Sequence, residues 1–169
     1  MKSLFLAPLL LAVSLFAATP VIAKTLAYPG PDNASFMIDH PGSWEVVPGE
    51  EVGDYVTLNG PTGVVLQLRT IPGTDTAMEE AITASAEYLD ETFQNVKLDE
   101  PKQIDEKGLT ALLVTGAGVD NEDQDVGFAM YYIALNDGNI AEIWYAVIKG
   151  DKEGHAAAVK ILNSFRSAQ

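Results

Sequence analysis

The chain has 169 residues, a formal charge of −14 and no cysteine. That length suits one domain behind a short extra segment. The charge argues against nucleic acid and anionic membranes as partners, since both need a basic face, and the missing cysteine excludes disulfides, thiolate metal sites and thiol nucleophiles.

Residues 1–23 read as an export signal. Lys2 supplies the positive start, Leu4 to Phe16 the apolar run, Pro20 a helix break, and Val21-Ile22-Ala23 the cleavage site. Ser14, Thr19 and Pro20 interrupt the run too early for a span of ~20 apolar residues. No cysteine follows to carry a lipid, so the expectation is a periplasmic or secreted protein with no stable membrane anchor after cleavage. Residues 24–34 read as a leader loop, because two prolines and a glycine fall within Lys24 to Asn33 without apolar periodicity. One domain, 35–169, follows.

Ser35 to Asp39 alternates, with Phe36 and Ile38 on one face, and His40-Pro41-Gly42-Ser43 turns the chain toward a second strand at Trp44 to Val47, predicting a hairpin. Tyr55 to Leu58 and Val64 to Ile71 are further strands around the turn Asn59 to Gly63. A helix follows, with Thr76 and Glu79 at capping-box spacing and a stripe of Met78, Ile82, Ser85, Leu89 and Phe93. Gln103 to Glu106 and Leu109 to Gly118 predict a hairpin around Lys107-Gly108. Val126 to Leu135 and Ile140 to Ile148 predict two long strands joined at Asn136-Asp137-Gly138-Asn139. Phe128, Met130 and Tyr132 alternate with Ala129, Tyr131 and Ile133, so both faces are apolar and the sheet must be covered on both sides. Asp151 caps a closing helix with the stripe Ala158, Ile161, Leu162 and Phe165. The fold class is α+β, with helices covering an antiparallel sheet.

The run Phe36-Met37-Ile38-Asp39-His40-Pro41-Gly42-Ser43-Trp44 resembles the opening signature of the PsbP-like superfamily, which includes secreted DcrB-like proteins and the fold-related Ran-binding nuclear import factors. Gly108-Leu109-Thr110-Ala111 is similar to that family's turn into its next strand, and Ile161-Leu162-Asn163-Ser164-Phe165 to its closing helix. The resemblance implies an α/β/α sandwich and a binding, adaptor or assembly role rather than catalysis. It carries over no partner-binding residue, because the matched positions are packing positions. Many DcrB-like relatives are lipoproteins, which this cysteine-free chain does not match.

Candidate chemistry is sparse. His40 and His155 have no metal-ligand spacing and read as surface residues. Ser43 lies in no nucleophile elbow, while Ser35, Ser85 and Ser164 fall on structural positions. The acidic run between two strands offers Asp120, Glu122, Asp123 and Asp125 as hard-oxygen ligands for a cation such as Ca²⁺, without the order of an EF-hand loop; its plainer reading is a solvated loop. Gly116-Ala117-Gly118 lacks the third glycine of a dinucleotide fingerprint. The remaining lead is aromatic: Tyr131, Tyr132, Trp144 and Tyr145, with Glu142 on the same face as Trp144, form either core filling or a surface for a ligand or partner. The expected function is therefore a non-catalytic binding or assembly-assisting protein of the bacterial envelope, using no cofactor and engaging another envelope protein. Alternatives are a small-ligand or calcium-binding periplasmic protein and a hydrolase with an unrecognised site.

Overall fold

Residues 23–51 and 53–169 are described by the structure, a computed structural model. The expected export signal lies outside the described residues except for Ala23, which opens the first strand, β1 (Ala23–Tyr28). The leader expected as loop thus begins as a strand. Leu26 and Tyr28 turn inward, and Tyr28 stacks on Phe36 with ring centroids 5.3 Å apart. So short a segment is stabilised by its neighbour rather than by its own pattern. That neighbour is β2 (Phe36–Pro41), paired along the whole of β1 from Ala23↔Pro41 to Tyr28↔Phe36.

The expected hairpin between β2 and the next strand, β3 (Glu45–Val47), does not form. The turn is present, closed by the Trp44 amide on the Pro41 carbonyl at 3.0 Å. However, β1 and the terminal strand β11 (Arg166–Ser167) take both edges of β2, so the turn delivers β3 to a second sheet. There β3 pairs with β4 (Val56–Asn59), which pairs in turn with β5 (Val65–Pro72) around the expected turn.

The first helix, α1 (Asp75–Thr92), is capped by Thr74 rather than Thr76. Thr74 is extended and its hydroxyl accepts from the Ala77 amide at 3.2 Å, which places Thr76 inside the first turn. The strand-to-helix junction is tight: a Cβ on Gly73 would lie 2.1 Å from the Gly138 carbonyl oxygen, so no side chain fits there.

Beyond α1 come β6 (Gln94–Leu98), which the sequence pattern does not announce, and the hairpin β7 (Lys102–Glu106) and β8 (Leu109–Val119). Lys107 and Gly108 both have positive φ, 54° and 82°, the conformation of a two-residue primed turn. β7 and β6 divide one edge of β8, β7 taking Leu109 to Leu113 and β6 taking Gly116 to Val119. The long strands β9 (Asp125–Ala134) and β10 (Asn139–Ile148) then fill the centre, giving a large antiparallel sheet ordered β3-β4-β5-β10-β9-β8-β6. The second helix, α2 (Lys152–Leu162), has Asp151 as its N-cap, as expected, and ends before Phe165.

Both faces of the large sheet are covered, which is why its central strands are apolar on both sides. On one face α1 brings Ala81 and Leu89 against Val114, Phe128, Met130, Tyr132 and Trp144. On the other, α2 and the small sheet β1-β2-β11 bring Ala158, Ile161, Phe36 and Ile38 against Leu66, Leu68, Ile143 and Tyr145. The architecture is α+β, a covered antiparallel sheet.

Candidate functional site

Strand register builds the most chemically distinctive place in the molecule. Tyr132 on β9 stands directly opposite Glu142 on β10, and Glu142 directly opposite Arg69 on β5, so three polar side chains form a row across the α1 face. Glu142 is fully buried, and its Oε2 accepts from Arg69 Nε at 2.6 Å. Over this row α1 lowers Ser85, whose hydroxyl donates to Glu142 Oε1 at 3.2 Å and accepts from the Tyr132 hydroxyl at 3.2 Å and Trp144 Nε1 at 3.1 Å. A serine hydroxyl has one proton to give and two lone pairs to fill. All three are used, so the cost of burying these groups is met inside the network.

The network has an open side. The Arg69 guanidinium lies 4.4 Å from the centre of the Tyr55 ring. Tyr55, Gln67, Arg69, Ala84, Ser85, Tyr88 and Trp144 line a cavity of about 320 Å³. Tyr88, 48% exposed, meets Trp144 edge-on with centroids 5.5 Å apart. Burial and then the nearby Glu142 charge push the Tyr55 hydroxyl well above its ordinary range. Burial likewise pushes Tyr132 up to about 12, although the Ser85 bond opposes it. Arg69 loses some charge preference to burial, but the Glu142 bond outweighs this and holds it above its ordinary value. The site therefore offers a fixed guanidinium, an amide and three rings around a half-open space. Such a mixture positions a ligand by shape and a few polar contacts.

Of the five residues expected as one surface, the structure brings together Tyr132, Glu142 and Trp144 and places Tyr131 and Tyr145 on the opposite face. Sheet pleating explains the split, since alternate residues of a strand point to opposite sides. Tyr145 is buried, with its hydroxyl 2.6 Å from His155 Nδ1, and burial pushes it up to about 12. Tyr131 lines a cavity of about 70 Å³ with Ile133, Val159 and Leu162. Arg69, Ser85, Tyr55, Gln67 and Tyr88 were not among the expected residues. A lone arginine in the apolar strand β5, and a serine inside an apolar helix stripe, are the sequence signals that point to them.

Larger cavities occur elsewhere. One of about 430 Å³ lies at the ends of β9 and β10 beside Asp125, Lys149, Asp151 and His155, and one of about 420 Å³ beside Asp39, His40, Lys160 and Ser164. Beside the first, Lys149 pairs with Asp125 at 3.4 Å, and at the second Asp39 pairs with Arg166 at 3.1 Å. His40 is buried rather than exposed, and its Nδ1 lies 3.0 Å from the Pro41 carbonyl oxygen. Ser164 bonds the backbone of Asp39 and Ile161, so no histidine–serine hydrogen bond joins these residues. In the acidic run, Asp120 Oδ1 accepts from the Glu122 and Gln124 amides, each at 2.9 Å, while Gln124 bonds Glu122 and Asp123 takes a positive φ of 60°. These are the contacts of a self-closed turn. Among the described residues no three histidine or carboxylate side chains gather to hold a metal ion. No described helix is long and apolar enough to cross a membrane.

By sequence, no protein-family model and no curated protein matches the chain. By structure, it is similar to the solution structure of cyanobacterial PsbP (CyanoP) from Synechocystis sp. PCC 6803, with a TM-score of 0.57 at 13% identity over 90% of this chain and 98% of that one. It is similar to the Ran-binding protein Mog1p of Saccharomyces cerevisiae, with a TM-score of 0.52 at 12% identity over 87% and 96% of the two chains. A crystal structure from Bacteroides thetaiotaomicron VPI-5482 gives a TM-score of 0.57 at 13% identity over 86% of this chain, which spans only 48% of that longer one. The fold is the PsbP-like fold, as the resemblance in β2 and α2 implied.

Proposed function

We propose that the protein is a non-catalytic binding or assembly-assisting protein of the bacterial envelope, and that it engages a protein partner through the α1 side of its large sheet. The observation that carries this is the construction of the site. The hydrogen-bonding capacity of Ser85 is used up internally, leaving a fixed platform under an aromatic space that opens beside a half-exposed tyrosine. Catalysis by Ser85 would need a free base at its hydroxyl, whereas binding needs only a rigid, shaped surface. The fold supports the reading, since it is shared with a Ran-binding protein and with a cyanobacterial PsbP. The pattern of residues 1–23 supports export, and the absence of a lipid-bearing cysteine supports a protein free of the membrane once processed.

A photo-crosslinking amino acid at position 88, compared with one at the β7–β8 turn at position 107, tests the proposal in the native envelope fraction. The expected result is a reproducible crosslinked protein from position 88 only. Equal capture from both positions, or none from 88, would count against the α1 side.

A further inference from the structure

We infer that the α1 pocket takes a basic polypeptide segment, anchored by one aromatic or large aliphatic side chain. The inference rests on the proposed partner-binding role and names the partner's chemistry.

Three independent features converge. First, the pocket wall is ring-lined, with Tyr55, Tyr88 and Trp144 around about 320 Å³, a space that one buried side chain and its flanking backbone can fill. Second, the pocket holds donors that have no partner among the described residues. Arg69 spends its Nε on Glu142, while its two Nη groups and the Gln67 side-chain amide form no hydrogen bond among the described residues. Backbone carbonyls of an extended segment are the matching acceptors. A free anion is a poor match, because Glu142 already balances Arg69 and the surroundings are strongly negative.

Third, the rim is acidic. α1 carries six carboxylates and no lysine or arginine. At 100° per residue, Glu80, Glu87 and Glu91 fall within about 60° of Ala84, on the outer side of the edge that Ala84 and Tyr88 present to the pocket. All three are exposed, and none is ion-paired among the described residues. A cationic segment lying along α1 would meet these charges while its apolar side chain entered between Tyr88 and Trp144. The rim charges would steer association and reject acidic competitors, and the ring contacts would hold the complex.

The test is fluorescence anisotropy of a short labelled peptide, one phenylalanine flanked on each side by lysines, titrated with protein produced from the full 169-residue sequence. Binding is expected to weaken about tenfold when the lysines become glutamates, about tenfold when the phenylalanine becomes alanine, and further as salt rises. Tyr88→Ala and the pair Glu87→Gln with Glu91→Gln should each reproduce such a loss. These residues are exposed, so the variants keep their fold, checked by an unchanged melting temperature. Equal affinity for the acidic peptide, or affinity untouched by Tyr88→Ala, overturns the inference. So does N-acetylphenylalanine amide binding as tightly as the peptide, which would mark a small-molecule pocket. No peptide binding alongside a crosslink specific to position 88 removes the basic partner and leaves partner binding standing. Failure of both removes both.

Discussion

On the α2 side of the large sheet, Phe36, Ile38, Leu66, Leu68, Ile143 and Ile161 are sealed from solvent, and no carboxylate is buried among them. On the α1 side Glu142 is sealed just as completely, yet it stands with Arg69, Ser85, Tyr132 and Trp144 in a hydrogen-bonded network. One sheet thus carries a dry core and a wired one. The dry side is closed by three layers of contact: sheet, helix and the small sheet β1-β2-β11. The wired side is closed by α1 alone and opens at Tyr55 and Tyr88. A polar network is the better platform there, because its geometry fixes each side chain, whereas apolar contacts tolerate repacking.

The largest way to break this contrast is on the dry side. Phe36 stacks on Tyr28 and packs against Phe165, each with centroids 5.3 Å apart. Phe36→Ala should cost about 3–5 kcal/mol in urea-monitored unfolding, and it should leave peptide binding at the α1 pocket intact in the molecules that remain folded. A cost below about 1 kcal/mol would mean that the small sheet is not part of the cooperative core.

On the wired side the test is which half of a pair is removed. Arg69→Met strands the sealed Glu142 carboxylate and should cost about 3 kcal/mol. Replacing both partners, Arg69→Met with Glu142→Leu, should recover most of that loss, because no buried charge is left unpaired. If the double variant is as unstable as the single one, the network stabilises the fold by more than mutual neutralisation.

The next effect is pH-dependent, and its sign follows from the direction of the shift. Tyr132 is held at about 12, above the ordinary tyrosine value near 10. The neutral hydroxyl is favoured in the folded state, so its contribution is complete below pH 10 and is lost as pH rises through about 12. Its worth is on the order of 2 kcal/mol. Between pH 9 and 12, unfolding curves of the parent should show a steeper loss of stability than those of Tyr132→Phe. Parallel losses would assign the alkaline sensitivity elsewhere, with Tyr145 on the opposite face, also raised to about 12, as the control.

What was legible beforehand follows the physics of each region. The two-sided apolar pattern of β9 and β10 announced a covered sheet, and Asp151 announced α2, because alternation and capping are local signals. The two-residue β11 and the parting of β2 from β3 were illegible, because they depend on the chain's end returning to the edge of β2. The strand at Ala23–Tyr28 was hidden by the prolines and glycine that follow it. The site was half legible. Tyr132, Glu142 and Trp144 share a face by strand period, but only the register of β5 on β10 brings in Arg69, and only the seating of α1 brings in Ser85. The capping-box spacing pointed to Thr76, whereas the cap is Thr74, at a junction where Gly73 passes against the distant turn at Gly138.

That displaced cap supplies the smallest test of the contrast. Thr74 satisfies the Ala77 amide from an exposed position, so Thr74→Ala removes one hydrogen bond and little packing, at about 1 kcal/mol. Because α1 closes the wired side alone, the loss should be felt as local fraying. Amide exchange should rise through the first turn of α1, while the amides of α2 and of β2 keep their protection. Equal loss of protection in α2 would show that both faces open as a single unit. The difference between the dry and the wired side would then be chemical only, with no separate mobility for a partner to exploit.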